Sequence, residues 1–187
     1  MIEDIFIEVR NSRMKLGEVY FWTDTINEWK HLLKPDKYKQ LVLNQWKDLK
    51  DKNLFTIYGF VVMPNHLHVL WELNGFNGHE MPHASFNKAT SHLIIKDLKA
   101  FHINVLAHFK VTEKGRSYRV WQRDPLAVLM DSKSKFEQKL DYIHNNPLGE
   151  KWNLAKYPEE YYWSSAKFYE TGIDDFGILT HYCEKYG

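Results

Sequence analysis

The chain has 187 residues, 44% of them hydrophobic, one cysteine and a formal net charge of +1. That length favours one compact domain with its own core, and residues 1–187 are read as that single domain. No run reaches the ~18–20 apolar residues needed to cross a bilayer, because the best stretch, residues 60–73, is interrupted by Pro64, Asn65, His66 and His68. Cys183 has no partner for an internal disulfide, and the N-terminus (MIEDIFIEVR) carries acids where a secretory signal would carry a basic start, so a cytoplasmic protein is expected.

Charge is unevenly spread. Residues 1–83 hold 10 basic and 11 acidic side chains, residues 84–139 hold 11 and 5, and residues 140–187 hold 4 and 8. A basic middle on a nearly neutral chain has two readings: a phosphate-binding face, or a solvated helix and loop surface.

In chain order, residues 17–24 (GEVYFWTD) are rich in β-branched and aromatic side chains and predict a strand. Residues 36–52 place Tyr38, Leu41, Val42, Gln45, Trp46 and Leu49 at helical spacing and predict the first helix. Residues 54–63 and 66–73 predict two strands joined at Pro64-Asn65, a hairpin. After a polar loop at 74–81, residues 87–101 predict a helix with Leu93, Ile94, Leu98 and Phe101 as its apolar face. Residues 117–123 (SYRVWQR) predict a strand. Residues 132–146 predict a third helix, opened by Asp131 or Ser132 and closed before Pro147. The tail from Leu148 reads as aromatic and irregular. The expected class is α+β, a central antiparallel sheet with helices packed on it.

Two places carry chemistry. His66 and His68 form the one His-x-His pair among ten histidines. In a strand, residues i and i+2 share a face, so both imidazoles project together and Leu67 points away. Such a pair suits one divalent metal ion with an oxygen ligand and open positions, or it is simply two histidines on a half-buried strand. On the 132–146 helix, Phe136, Leu140 and Ile143 form one stripe, and Tyr142 lies about 120° away from it on a wheel of ~100° per residue. Tyr142 then shares its side with Gln138 and Asn146, with Asn145 a weaker candidate for the same place. It serves either as a packing residue or as a phenol able to attack a phosphodiester polarised by a metal.

Read together, YGFVVMPNHLHVL at 58–70, Trp121-Gln-Arg123, YIHNNP at 142–147 and the YYWSSAKFY of 161–169 resemble REP-associated tyrosine transposases and the related single-tyrosine HUH insertion-sequence transposases. The resemblance covers about residues 16–170. It implies a ferredoxin-like palm, with His66, His68 and Asn146 as ligands of Mg or Mn and Tyr142 as the nucleophile. It implies cutting and rejoining of single-stranded or hairpin DNA through a 5′-phosphotyrosine, by a homodimer. Lys96, Lys99, Arg116, Arg119 and Arg123 are the candidate phosphate contacts on charge, and Tyr118 and Trp121 could stack on bases or belong to the core. The alternatives from other classes are a binding module without chemistry and a metal-dependent phosphodiester hydrolase that uses water.

Overall fold

The structure is a computed structural model in which residues 14–187 are described; the acidic start of the chain, residues 1–13, lies outside the described residues. Strand β1 (Val19–Thr25) leads through a 3-10 turn, Asn27–Trp29, to helix α1 (Asp36–Asp51), then to β2 (Phe55–Val62) and β3 (His66–Leu73). Helices α2 (Pro82–Phe101) and α3 (Ile103–Ala107), the ribbon of β4 (Lys110–Glu113) and β5 (Arg116–Tyr118), β6 (Leu126–Leu129) and α4 (Lys133–Asn145) follow. The tail adds short helices α5 (Ala166–Thr171) and α6 (Cys183–Tyr186).

The main sheet has the order β2-β3-β1-β6 and is antiparallel throughout. With α1 between β1 and β2, and α2 in the crossover from β3 to β6, this is the ferredoxin-like arrangement, and the expected fold class holds. Each strand alternates between two buried faces. On one, Trp22, Phe60 and Trp71 meet the helices, where Trp46 of α1 stacks on Phe86 of α2 and meets Phe60 edge-on. On the other, Phe21, Thr23, His66 and His68 face α4, as the pairing of Thr23 with His68 and of Thr25 with His66 requires.

Helix α4 buries the three predicted residues, Phe136, Leu140 and Ile143, and Ser132 caps it by accepting from the Lys135 amide at 3.3 Å. The helix comes close to β2 because position 59 has no side chain. A Cβ there would lie 2.6 Å from Leu140 Cδ1 and 3.3 Å from Ile143 Cδ1. The register also shifts between Ile57 and Gly59, an irregularity that bends β2 under the helix.

Several expectations need correction. Helix α2 starts at Pro82 rather than at 87, since proline suits a first helical turn. Its buried face is Phe86, Thr90, Ile94 and Leu98, while Leu93 is 37% and Phe101 75% exposed. The predicted strand at 117–123 is regular only to Tyr118. Its remainder crosses the end of β1, with a bridge between Ile26 and Trp121 and a bond from the Gln122 amide to the Thr25 carbonyl at 2.8 Å. The tail is more ordered than expected: Val62 donates to the Trp163 carbonyl and Ser165 to that of Phe60, both at 2.9 Å, which covers the outer edge of β2. Among the described residues no helix is long and apolar enough to cross a membrane.

Candidate active site

The β2–β3 turn delivers both histidines to the α4 face. His66 and His68 are 6% and 5% exposed, and their ring centroids lie 4.8 Å apart. Leu67, between them, is fully buried on the opposite face.

Each ring is held through Nδ1. His68 Nδ1 lies 2.7 Å from Thr23 Oγ1, and His66 Nδ1 lies 2.7 Å from Asn65 Oδ1. The Asn65 amide nitrogen donates to the Trp29 carbonyl at 3.1 Å, so its oxygen is the acceptor and His66 carries its proton on Nδ1. The Nε2 lone pair of His66 is therefore the free one. His68 Nε2 is buried and has no hydrogen-bond partner among the described residues.

Burial drives both imidazoles towards the neutral form. The pKa of His66 is pushed down to about 4, chiefly by desolvation, with the Asn146 carboxamide opposing and Lys151 assisting. That of His68 falls well below its ordinary value through burial, then through His66 and Lys139. The neutral imidazole is the form that binds metal ions.

Helix α4 supplies the facing groups. Tyr142 stands over His68, ring centroids 5.3 Å apart, and edge-on to Phe21 at 6.1 Å; it is 49% exposed. Asn146 caps the helix C-terminus beside His66, and its buried Oδ1 makes no hydrogen bond of good geometry among the described residues. Asn145 turns back to its own helix, donating to the Asp141 carbonyl at 2.9 Å, which separates the two asparagines. Gln138, Asp141, Tyr142, Asn145, Asn146, Gly149 and Trp152 line an open groove of about 450 Å³ above the histidines.

The arrangement fits a divalent cation. Two buried polar atoms without a partner among the described residues, His68 Nε2 and Asn146 Oδ1, sit with the free Nε2 of His66, and such an atom is costly unless something else satisfies it. Among the described residues no group of three His, Cys, Asp or Glu could hold a metal, so any ion here would rest on two imidazoles and an amide.

Sequence reasoning gave Asn65 only as a turn residue and did not single out Thr23, Trp29, Trp152, Lys139 or Lys151. Lys139 lies 5.5 Å from the Tyr142 ring and Lys151 5.3 Å from that of Trp152, and neither is salt-bridged among the described residues. The position of Lys139, three residues before Tyr142, was a usable signal. His144 faces away: Ser165 Oγ, which donates to the Phe60 carbonyl, accepts from its Nε2 at 2.8 Å.

The basic candidates divide. Lys96 and Lys99 lie on one face of α2 and Arg116 on the β4–β5 ribbon, and a groove of about 790 Å³ between them is lined by Lys88, His92, Lys99, Arg116 and Tyr118 among others. Arg119 is nearly buried and paired with Glu113, and Arg123 meets the same carboxylate at 3.1 Å while remaining largely exposed. Trp121 belongs to the core, donating to Thr90 Oγ1 at 2.9 Å.

No family model and no curated relative matches the sequence. Among solved structures, the chain resembles a REP-associated tyrosine transposase bound to a REP hairpin, at 19% identity and a TM-score of 0.61, covering 90% of this chain and 88% of that one. A protein of Deinococcus radiodurans assigned as a transposase aligns at 18% identity over 71% of this chain and 94% of its own, with a TM-score of 0.41, too low to argue a shared fold. The chain has the fold of a REP-associated tyrosine transposase.

Proposed function

We propose that this protein is a transposase of the single-tyrosine HUH type, which cuts and rejoins single-stranded or hairpin DNA through a phosphotyrosine. The observation that carries the reading is the position of Tyr142 directly over His68, with Asn146 beside His66, in a groove open to a polymer. The similarity in fold to a transposase bound to a DNA hairpin supports it.

His66, His68 and Asn146 would hold Mg or Mn, which when bound supplies Lewis-acid polarisation of the scissile phosphate. Tyr142 Oη attacks phosphorus and the bond to the 3′ oxygen breaks, the phenol losing its proton to solvent and the departing 3′ oxygen taking one up. The products are a 5′-phosphotyrosine and a free 3′-hydroxyl, and the reverse attack by a 3′-hydroxyl rejoins strands and restores the phenol. The phosphoester energy is kept, so no nucleotide is consumed. Thr23 and Asn65 hold the imidazoles in one orientation, and Lys139 places positive charge beside the reacting phosphate. Lys96, Lys99 and Arg116 offer phosphate contacts along the α2 groove, with Arg123 at its end. Dimerisation belongs to the same proposal and is checked by light scattering.

The test is incubation with labelled hairpin oligonucleotides from the DNA flanking the gene, with Mn or Mg, followed by denaturing electrophoresis. A protein-linked band that disappears with EDTA and with Tyr142→Phe is expected. Cleavage persisting in Tyr142→Phe would replace this reading with a metal-dependent hydrolase, and binding without cleavage would replace it with a binding module.

A further inference from the structure

Five of the seven tryptophans are buried, whereas Trp29 is 56% exposed and Trp152 half-buried. Both flank His66, with ring centroids 6.2 Å and 5.8 Å from the imidazole.

Trp29 is held out of the core at a conformational cost. It and Glu28 are consecutive residues at φ 56° and 58°, in the left-handed region that bulky side chains avoid. Strain of this kind persists only where surrounding bonds impose it. Here the β2–β3 turn imposes it: the Ile26 amide donates to the Asn65 carbonyl and the Leu33 amide to the Pro64 carbonyl, both at 2.9 Å, and Asn65 Nδ2 holds the Trp29 carbonyl. The segment carrying Trp29 is thus clipped at three points to the turn that positions His66. A mobile surface loop would show none of these ties.

Trp152 reaches the same imidazole from the segment after α4, and its ring also meets that of His31, two residues beyond Trp29, at 5.6 Å. It lines the groove with Tyr142 and Asn146, and the Lys151 ammonium lies over its ring. Indole faces, partly exposed and fixed, one of them lining a groove beside a lysine, match what unpaired nucleobases bind: stacking satisfies the base and the lysine its phosphate. Paired bases in a duplex have no free face to offer.

We infer that Trp29, with Trp152 as a second wall, is a stacking platform for one unpaired nucleobase next to the phosphate held over His66 and His68. This rests on the DNA reading above and adds to it where the strand leaves the site. The platform requires single-stranded character within a nucleotide or two of the scissile bond. It also makes Trp29 a positioning residue, since a base anchored there fixes which phosphate meets Tyr142.

The experiment uses the full chain carrying Tyr142→Phe, so that binding is read without cleavage. The probes are short oligothymidylates bearing a single 2-aminopurine, moved one position at a time, and the same series with an abasic site instead. With Trp29 intact, 2-aminopurine fluorescence is quenched at one position, and an abasic site there weakens binding roughly tenfold. Trp29→Ala weakens binding of the intact strand by a similar factor, removes the quenching, and adds nothing to the abasic loss. Trp29→Phe restores most of the affinity, which a mere folding defect would not allow, and a matched duplex binds both forms equally. Equal affinity and quenching in Trp29→Ala, or a loss that persists undiminished on the abasic strand, overturns the platform. Covalent capture by the Tyr142 protein is scored separately. Phosphotyrosine formation indifferent to Trp29 sinks the platform and leaves the proposed function standing, and base-dependent stacking without any covalent product does the reverse.

Discussion

Asn65 joins Trp29 to His66: one end of its carboxamide donates to the Trp29 carbonyl at 3.1 Å, and the other takes the Nδ1 proton of His66 at 2.7 Å. With the amide fixed in this sense, only Nε2 of His66 is left for a ligand. Asn65→Ala is expected to weaken Mn binding by about 10- to 100-fold, the range seen when the partner of a ligating histidine is removed. Isothermal titration with Mn measures it. An unchanged affinity would mean that the ring is positioned by packing alone.

Tyr142 is half-exposed, and no hydrogen bond of its hydroxyl is found among the described residues. Tyr142→Phe should therefore change folding stability by no more than about 0.5 kcal/mol, as surface substitutions do. On the proposed chemistry it removes all covalent product. Urea unfolding beside the electrophoretic assay separates the two effects, and a large loss of stability would assign the hydroxyl a structural role.

Gly59 sets the height of α4. Gly59→Ala puts a methyl group 2.6 Å from Leu140 Cδ1, within a buried contact, and should cost about 1–3 kcal/mol as overpacking does. It should also lower strand cleavage more than that loss explains, because lifting the helix moves Tyr142 and Asn146 away from β3. Combining it with Leu140→Val, which removes the clashing carbon, should recover part of both. Additive losses in the double variant would rule out this contact as the cause.

On the far face of β1, burial pushes the fully enclosed Asp24 carboxyl up to about 7, against the lowering effect of hydrogen bonds from Asn87 at 2.6 Å and the Thr25 amide at 3.0 Å. The folded protein holds this proton up to about pH 7 while the unfolded chain releases it near 3.8, so the stability it contributes is present at low pH and lost as pH rises towards 7. Asp24→Asn should remove that loss, a difference of about 3 kcal/mol between pH 5 and pH 8. His83 and His144, both driven down to about 4 by burial, act oppositely: their contribution is lost as pH falls from 6.5 to 4. Denaturant curves for both proteins across this range give the difference, and parallel profiles would show that Asp24 is ionised throughout.

The basic groove makes a separate prediction. Lys99→Ala and Arg116→Ala should each weaken DNA binding and reduce its salt dependence by about one unit of slope. Arg119→Ala should act on stability instead, since Arg119 pairs with Glu113 inside the protein. Affinity titrations at several salt concentrations, with thermal melts, tell these apart. A salt slope lowered by Arg119→Ala alone would reverse the assignment.

The elements of the palm were legible where one physical signal dominated. The hairpin at Pro64-Asn65 and the Phe136, Leu140, Ile143 stripe appear in the structure as read, because turn chemistry and helical period are local properties. Strand β6 escaped notice: LAVL is four residues long, half-exposed, and becomes a strand only by pairing with β1. The face of α2 was misjudged because Leu93 and Phe101 are apolar without being covered, whereas Thr90 is polar yet buried, its hydroxyl accepting from Trp121 and donating to the Phe86 carbonyl. At the site, motif and wheel brought His66, His68, Tyr142 and Asn146 together. Thr23 and Trp29 were invisible, since one reaches His68 through strand register and the other reaches His66 through a strained turn.

Strand β1 places Thr23 under His68 and turns the neighbouring Asp24 to the opposite face of the sheet. The donors offered to a cation are thus all electrically neutral, two imidazoles and a carboxamide. A divalent ion held there would keep its full double charge facing the groove, and an anionic phosphodiester would offset part of it. If the proposed chemistry holds, occupancy by metal and by nucleic acid would therefore favour one another, and Mn would bind more tightly with a strand in the groove than without one.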